Sequence, residues 1–397
     1  MRFSALVERI AGKSADAWIT HYAARRAEAR GEDPILLSIG DPELDSPTPV
    51  VERAIEALRS GETHYTPASG REELRRAIVA LHCARSGQAV DADQVVVLCG
   101  AQNALFAVSL CLAGPGDEVI GIEPLYPTYP PTIEVSGARL VRAPSPPDKG
   151  FRVDLEALSA AIGPRTRAIF FATPNIPTGV IFNAAELAEI GELARRHSLW
   201  IVADEVYAGL AAEGRVPSLA ASLPEQVVTI GSLSKTHAMT GWRAGWLIGP
   251  RALAAHVEAL AACMLFGLPR FIQSAAVTAI NIADTAEADM REYCRRRRDL
   301  LLAGLEGVRG LHASVPEAGM FLFVDVRGTG LSGYDFMCGL YESERISVID
   351  GGAFGRETAG FVRISFAIGE AQLREACARI RRFTESLRAR PRTHVRL

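Results

Sequence analysis

The chain has 397 residues, 48% of them hydrophobic and 22% charged, with a formal net charge of −3. This is the composition of a globular protein with a large core, and it excludes a disordered chain. No basic surplus or like-charge arm points to nucleic acid.

In chain order, the opening "MRFSALVERI" is too charged for a signal peptide. The first ~45 residues are too few to fold alone, and "ILLSIG" within them is expected to join a second, smaller domain. The window "VVVLCGAQNALFAVSLCLAG" is the longest apolar stretch. Gly100, Gln102 and Asn103 break it, so it reads as a buried strand followed by a helix and not as a membrane span. From there, "QVVVLC", "DEVIGIE", "ARLVRA", "RAIFFATP", "LWIVADEVY", "VVTIGSLS" and "RAGWLIG" read as strands. Most are continuously apolar, as in strands covered on both faces. Helical patterns lie between them, one opening with Asn183 and Glu186 at capping-box spacing. That alternation predicts an α/β fold whose mainly parallel sheet is flanked by helices.

After about Pro269 the pattern changes to two long helices, then the strands "FLFVDV", "ISVID" and "FVRISFA", then a helix ending near Arg390. This predicts a smaller α+β domain. The expected division is a large domain over 46–282 and a small one from 1–45 with 283–397. The run Arg295–Arg298 reads as a solvated helix face. Seven scattered cysteines without a C-x-x-C pair read as reduced thiols of a cytoplasmic protein, with neither a disulfide framework nor a metal site.

Three segments carry chemistry. In "VLCGAQNALF" a strand meets a glycine and a helix opens with unpaired N–H groups, the form of a phosphate site, although every strand–helix junction offers something similar. In "LWIVADEVYAGL" Asp204 ends an apolar strand and Tyr207 follows; the carboxylate suits a heterocyclic nitrogen, or equally a helix N-cap. In "IGSLSKTHAMTGWRAGW" a strand delivers Ser232, Ser234 and Lys235, with Arg243 eight residues on. A lysine so placed suits a desolvated amine that forms Schiff bases, with a surface loop lysine as the alternative. Gly328, Gly330 and Gly333 match G-x-G-x-x-G, with Asp350 ending the next strand. Too little chain follows for the rest of a nucleotide domain, so we reject a nicotinamide site.

Together, an anion cup, an amine, a ring-nitrogen carboxylate and an arginine describe one ligand, pyridoxal 5′-phosphate. With "SLSKTHAMTGWR", "ADEVY", "YTPASGREELR" and "VRISFA" in order along nearly the whole chain, the sequence resembles the fold-type I, class I/II aminotransferases. The resemblance implies a homodimer with shared sites and these roles. Lys235 binds the cofactor covalently and moves the substrate proton. Asp204 pairs with the ring nitrogen, and Tyr207 donates to the phenolic oxygen. Gly100, Ala101, Gln102, Ser232 and Arg243 hold the phosphate, and Tyr126 stacks on the ring. Tyr65 reaches the phosphate of the other subunit. Arg363 and the Gly40 backbone take the substrate α-carboxylate. The implied reaction moves an amino group from an L-amino acid to pyruvate or 2-oxoglutarate. Alternatives are a lyase or decarboxylase on the same fold, or a catalytically weak binder.

Within the family, "CMLFGLPRFIQSAA" and the lysine segment look most like arginine–pyruvate transaminases and their neighbours near the aspartate aminotransferases. Arg270 stands where that group is expected to carry an acid, which favours a second substrate carboxylate over a guanidinium; a solvent or dimer-interface position is the alternative. The loop "TPNIPTG" departs from the family's N-P-x-N-P-T-G. Ile176 replaces the asparagine that normally donates to the phenolic oxygen, which leaves Tyr207 as the expected side-chain donor.

Overall fold

The apolar runs of the middle of the chain assemble into one sheet because helices cover both of its faces. In the computed structural model, which describes residues 1–12, 15–212 and 215–387, a two-residue strand β1 (Ile35–Leu36) comes first. Seven strands then build the main sheet: β2 (Val95–Cys99), β3 (Glu118–Ile122), β4 (Arg139–Ala143), β5 (Thr166–Ala172), β6 (Trp200–Asp204), β7 (Val227–Ser232) and β8 (Ala244–Ile248). Their order is β2-β8-β7-β6-β5-β3-β4. Strands β4, β3, β5, β6 and β7 run parallel, and β8 is antiparallel to both of its neighbours.

Alternate residues of these strands enter different cores. Val96 and Leu98 pack with Leu105 and Val108 of the helix Ala101–Leu112, whereas Val95 and Val97 pack with Leu74 and Ile78 of the helix Glu72–Ser86. The helix Ala184–His197 covers Ile169 and Ile201 and starts with the predicted Asn183–Glu186 capping box. The register brings strand ends to one edge: Ala172 lies opposite Asp204, Asp204 opposite Ile230, Ser232 opposite Gly245, and Cys99 opposite Ala244. Ligands bind at this carboxyl edge in α/β sheets.

A four-stranded antiparallel sheet follows in the order β12 (Ile349–Asp350), β13 (Phe361–Ser365), β10 (Phe321–Asp325), β9 (His312–Ala313). "ISVID" thus splits into β11 (Ile346–Ser347), which pairs in parallel with β1, and β12. Ile35 and Leu37 share a core with Leu301, Phe336, Ile364 and Ile380, so the N-terminal segment does pack with the C-terminal one. Ile176 and Tyr207, from loops of the main sheet, enter the same core.

The arginine run is not uniformly solvated. Arg297 is 7% exposed, lies 3.5 Å from the Tyr293 ring centroid, and donates to Glu43 Oε1 at 2.9 Å and to the Ile368 carbonyl at 2.8 Å. Helical spacing explains this, because position 297 shares the inward face with Met290, Cys294 and Leu301. The G-x-G-x-x-G glycines serve close packing: a Cβ on Gly328 would meet the Gly310 backbone at 2.8 Å, and Gly330 turns the chain at φ 82°. The last helix runs over Glu370–Ser386, and Arg390 lies outside the described residues.

Candidate active site

The anion cup is built where β2 meets the helix Ala101–Leu112. Gly100 caps that helix at φ 81°, a left-handed value that glycine adopts without strain. Its own N–H is used, donating to the Leu98 carbonyl at 2.7 Å, so its contribution is shape. A Cβ on Gly100 would run into the Arg243 guanidinium, and one on Gly245 would meet the Ala101 nitrogen at 2.5 Å. The absence of both side chains lets Arg243 lie over the helix start. The N–H groups of Ala101 and Gln102 point out of the first turn without an intrahelical acceptor. Arg243 is exposed, sits at φ 58° and donates to the Thr240 carbonyl at 2.7 Å. Ser232, the last residue of β7, has its hydroxyl 2.9 Å from that of Ser234.

Lys235 follows directly. Its half-buried side chain reaches the Gly40 carbonyl, with Nζ donating at 2.6 Å. Desolvation pushes its amine down to about 8; the charges of Arg363 and Arg243 act in the same direction, while Asp41 and Asp204 oppose them. Asp41 is exposed beside Gly40 and accepts from the Thr240 hydroxyl at 2.5 Å.

Asp204 is buried at the end of β6. It accepts from the Tyr129 hydroxyl at 2.5 Å and from the Val206 N–H at 3.1 Å. Burial raises its carboxyl to about 6 against the pull of these donors. Tyr207 is buried against Phe321, edge-on at 6.2 Å, and desolvation pushes its phenol up. Tyr126 is half-buried, edge-on to Tyr129, and its phenol is also raised by burial.

Arg363 is the most unusual group. It is 1% exposed on β13, held over the Phe321 ring at 4.1 Å, and desolvation lowers its pKa. One nitrogen donates to the Ser38 carbonyl at 2.6 Å, while Nε and Nη1 are buried without a partner. Among the described residues no ion pair neutralises it. A buried guanidinium with two open N–H groups is costly unless an anion completes it.

These residues fit pyridoxal phosphate. The glycine cradle under Arg243 is closed to any Cβ, the Asp204 carboxylate makes no ion pair among the described residues, and the Lys235 amine is depressed within its electrostatic reach. Gly40, Gly100, Tyr126, Asp204, Tyr207, Ser232, Lys235 and Arg243 lie on loops and strand ends, Ala101 and Gln102 in the first turn of a helix, and Arg363 in the middle of β13 of the smaller sheet.

Two predicted residues stand apart from this group. Tyr65 is 84% exposed and touches Phe266, itself 57% exposed, with ring centroids 5.0 Å apart. Arg270 opens the helix Arg270–Asn281 with Nε 3.6 Å from Glu62, a carboxylate it shares with Arg53 and Arg71. Ile176 is 7% exposed in the core that also holds Tyr207. Its neighbour Asn175 is engaged elsewhere, donating to the Pro124 carbonyl at 3.0 Å and accepting from the Thr178 hydroxyl at 2.8 Å.

Sequence reasoning missed Tyr129 and Asp41. Tyr129 lies 75 residues from Asp204, and only the fold brings them together. The aromatic at Tyr126 plus helical spacing was the one available signal for Tyr129.

The family model for aminotransferase class I and II matches residues 32–380. The chain is 48% identical to the arginine–pyruvate transaminase AruH of Pseudomonas aeruginosa, over 96% of this chain and 97% of that protein. It is 33% identical to an aspartate aminotransferase of Streptomyces avermitilis, covering 90% and 91% of the two chains. The structure of the Thermus thermophilus aspartate aminotransferase with maleate aligns with a TM-score of 0.91 at 32% identity, over 96% of this chain and all of that one.

Proposed function

The chain belongs to the class I and II aminotransferase family, and from that premise we propose how its residues divide the work. It is a pyridoxal-phosphate-dependent transaminase that moves an amino group from an amino acid to a 2-oxo acid. The observation that carries the assignment of roles is Arg363, buried with two open N–H groups in electrostatic reach of the Lys235 amine.

When bound, the cofactor supplies a carbonyl that takes up amines and a ring that accepts electron density. Ala101 and Gln102 N–H groups, Ser232 and Arg243 bind its phosphate, with Gly100 providing the space. Asp204 holds the ring nitrogen protonated, Tyr207 donates to the phenolic oxygen, and Tyr126 covers one ring face. Arg363 takes the substrate α-carboxylate through its open N–H pair, with the Gly40 backbone alongside. Lys235, with an amine near 8, keeps a sizeable neutral fraction at physiological pH and can take the substrate Cα proton.

For the donor we favour a cationic side chain. Arg270, the arginine available for a second carboxylate, is already shared with Glu62, whereas Asp41 beside Gly40 has no ion-pair partner among the described residues. The arginine–pyruvate relative points the same way. Arginine, lysine and aspartate assayed with pyruvate and 2-oxoglutarate test this. A preference for aspartate would refute the cationic reading, and no transfer from any donor would refute the role assignment.

We further propose a homodimer. The exposed Tyr65–Phe266 pair is an apolar contact awaiting a second copy, which would bring Tyr65 to the partner's phosphate. The division into 46–282 and 1–45 with 283–397 is supported by the shared core of Ile35, Leu37 and the C-terminal strands. Seven free cysteines support a cytoplasmic location, and no described helix is long and apolar enough to cross a membrane.

A further inference from the structure

Asp204 does not stand alone in its pocket. Its Oδ2 accepts from the Tyr129 hydroxyl at 2.5 Å, and both side chains are buried. The only other donor to the carboxylate among the described residues is the Val206 N–H, on Oδ1 at 3.1 Å. A buried carboxylate needs such donors to stay ionised. Tyr129 cannot serve as an acid here, because burial and the adjacent Asp204 push its phenol well above its ordinary value.

The turn that carries Tyr129 is clamped from the phosphate side. Thr128 donates to Gln102 Oε1 at 2.7 Å, and Gln102 Nε2 donates to Thr132 at 2.7 Å. Thr128 and Thr132 flank Tyr129, and Gln102 sits in the first turn of the helix that forms the anion cup. The Gln102 amide therefore fixes the distance between the phosphate cup and the hydroxyl that supports Asp204. The segment "YPTYPPT" thus holds a ring-facing aromatic, two clamp hydroxyls and a phenol in seven residues.

We propose that Tyr129 is a positioning residue that holds Asp204 ionised and aimed at the cofactor's ring nitrogen, with its turn set by the Thr128–Gln102–Thr132 clamp. The proposal rests on the reading of Asp204 as the ring-nitrogen partner. It makes the contribution of Tyr129 depend on a nitrogen in the ring, which a purely structural role would not.

The test is equilibrium binding of pyridoxal phosphate and of its 1-deaza analogue, whose ring nitrogen is replaced by C–H, to the full-length chain stripped of cofactor. The parent is expected to prefer pyridoxal phosphate. Tyr129→Phe keeps the ring and its packing, and it should weaken pyridoxal phosphate binding roughly tenfold or more, the cost of one hydrogen bond to a buried charge. Binding of the deaza analogue should not change. Tyr129→His, which retains a ring N–H, should restore part of the preference. Equal weakening of both ligands by Tyr129→Phe, or no weakening of either, would overturn the proposal. A parent that binds both ligands equally would instead overturn the reading of Asp204. If Tyr129→Phe does not fold, Thr132→Val is read in its place. It should narrow the preference severalfold, and an unchanged preference in the folded variant would then overturn the proposal.

Discussion

Ile176→Asn restores the family's usual residue, and the structure sets what it must do. Ile176 is buried in the core with Tyr207, Met320 and Phe321. Removing its branched side chain costs about 2 kcal/mol of burial. An amide left there without a partner costs about 1–3 kcal/mol more. Asn175 and Thr178 are bonded to each other, so they are not free to satisfy it. With cofactor bound, the new N–H would donate to the phenolic oxygen, as the resemblance implies for the family's asparagine. A hydrogen bond to an ionised group returns about 1.5–3 kcal/mol. The variant without cofactor should therefore lose about 3–5 kcal/mol, and the loaded variant only about 1–2 kcal/mol. With an unfolding entropy of about 2.1 cal/mol/K per residue, this is a Tm drop of about 4–6 °C unloaded and about 2 °C loaded. The new donor favours the deprotonated chromophore, so a pH titration of the visible band should shift down by about 1–2 units. A band whose midpoint does not move, or equal Tm losses in both forms, would refute this placement of position 176.

Other consequences are quicker to check. The Lys235 amine is held near 8 by desolvation, so in cofactor-free protein the rate of pyridoxal phosphate capture should rise with pH through a midpoint near 8. Only the neutral amine attacks, and a midpoint near 10 would contradict the burial described here. Asp41→Asn removes the main attraction that raises this amine, so the midpoint should fall further; kcat/KM for arginine should also fall by about tenfold, while that for aspartate should not. Arg363→Ala should lower kcat/KM for every donor and acceptor by roughly 30-fold or more without weakening cofactor binding, and Arg363→Lys should recover only part, because one ammonium cannot replace the paired N–H groups. Mixing Lys235→Ala with Tyr65→Ala subunits should yield active sites that neither variant forms alone. Activity that stays at the level of the separate variants would count against sites shared across a dimer.

The sequence made the main sheet legible because most of its strands are buried on both faces and read as unbroken apolar runs, the half-exposed edge strand β4 excepted. All seven predicted segments are strands of that sheet. "ISVID" was less legible. Val348 between the two short strands is itself fully buried, so the hydrophobic pattern runs across the switch from β11 to β12 without a break. Arg297 was misread because a run of four arginines hides which one faces inward. Only the register of Met290, Cys294 and Leu301 marks position 297 as buried. At the site, residues proposed to hold ligands through fixed local motifs were legible, because glycines, the lysine and its flanking hydroxyls sit within a few positions of one another. The supporting contacts were not. Tyr129 with Asp204, Lys235 with Gly40 and Arg363 with Ser38 join positions 75, 195 and 325 residues apart.

Those long-range contacts also explain why the site holds so many unneutralised charges. Arg363, Asp204 and Arg243 each lack an opposite charge in ion-pair contact among the described residues, and Lys235 is bonded only to a neutral carbonyl. For Arg363 and Asp204 this is unfavourable in the unloaded chain, since each of these two buried charges gives up hydration without a counter-ion. It becomes favourable when one ligand pair brings a carboxylate to Arg363, a phosphate to Arg243 and a ring N–H to Asp204. Asp41 is left over in that matching, and the proposed donor with a cationic side chain would complete it. The charges therefore argue for the substrate class more directly than Arg270 does, because Arg270 already shares the Glu62 carboxylate with Arg53 and Arg71.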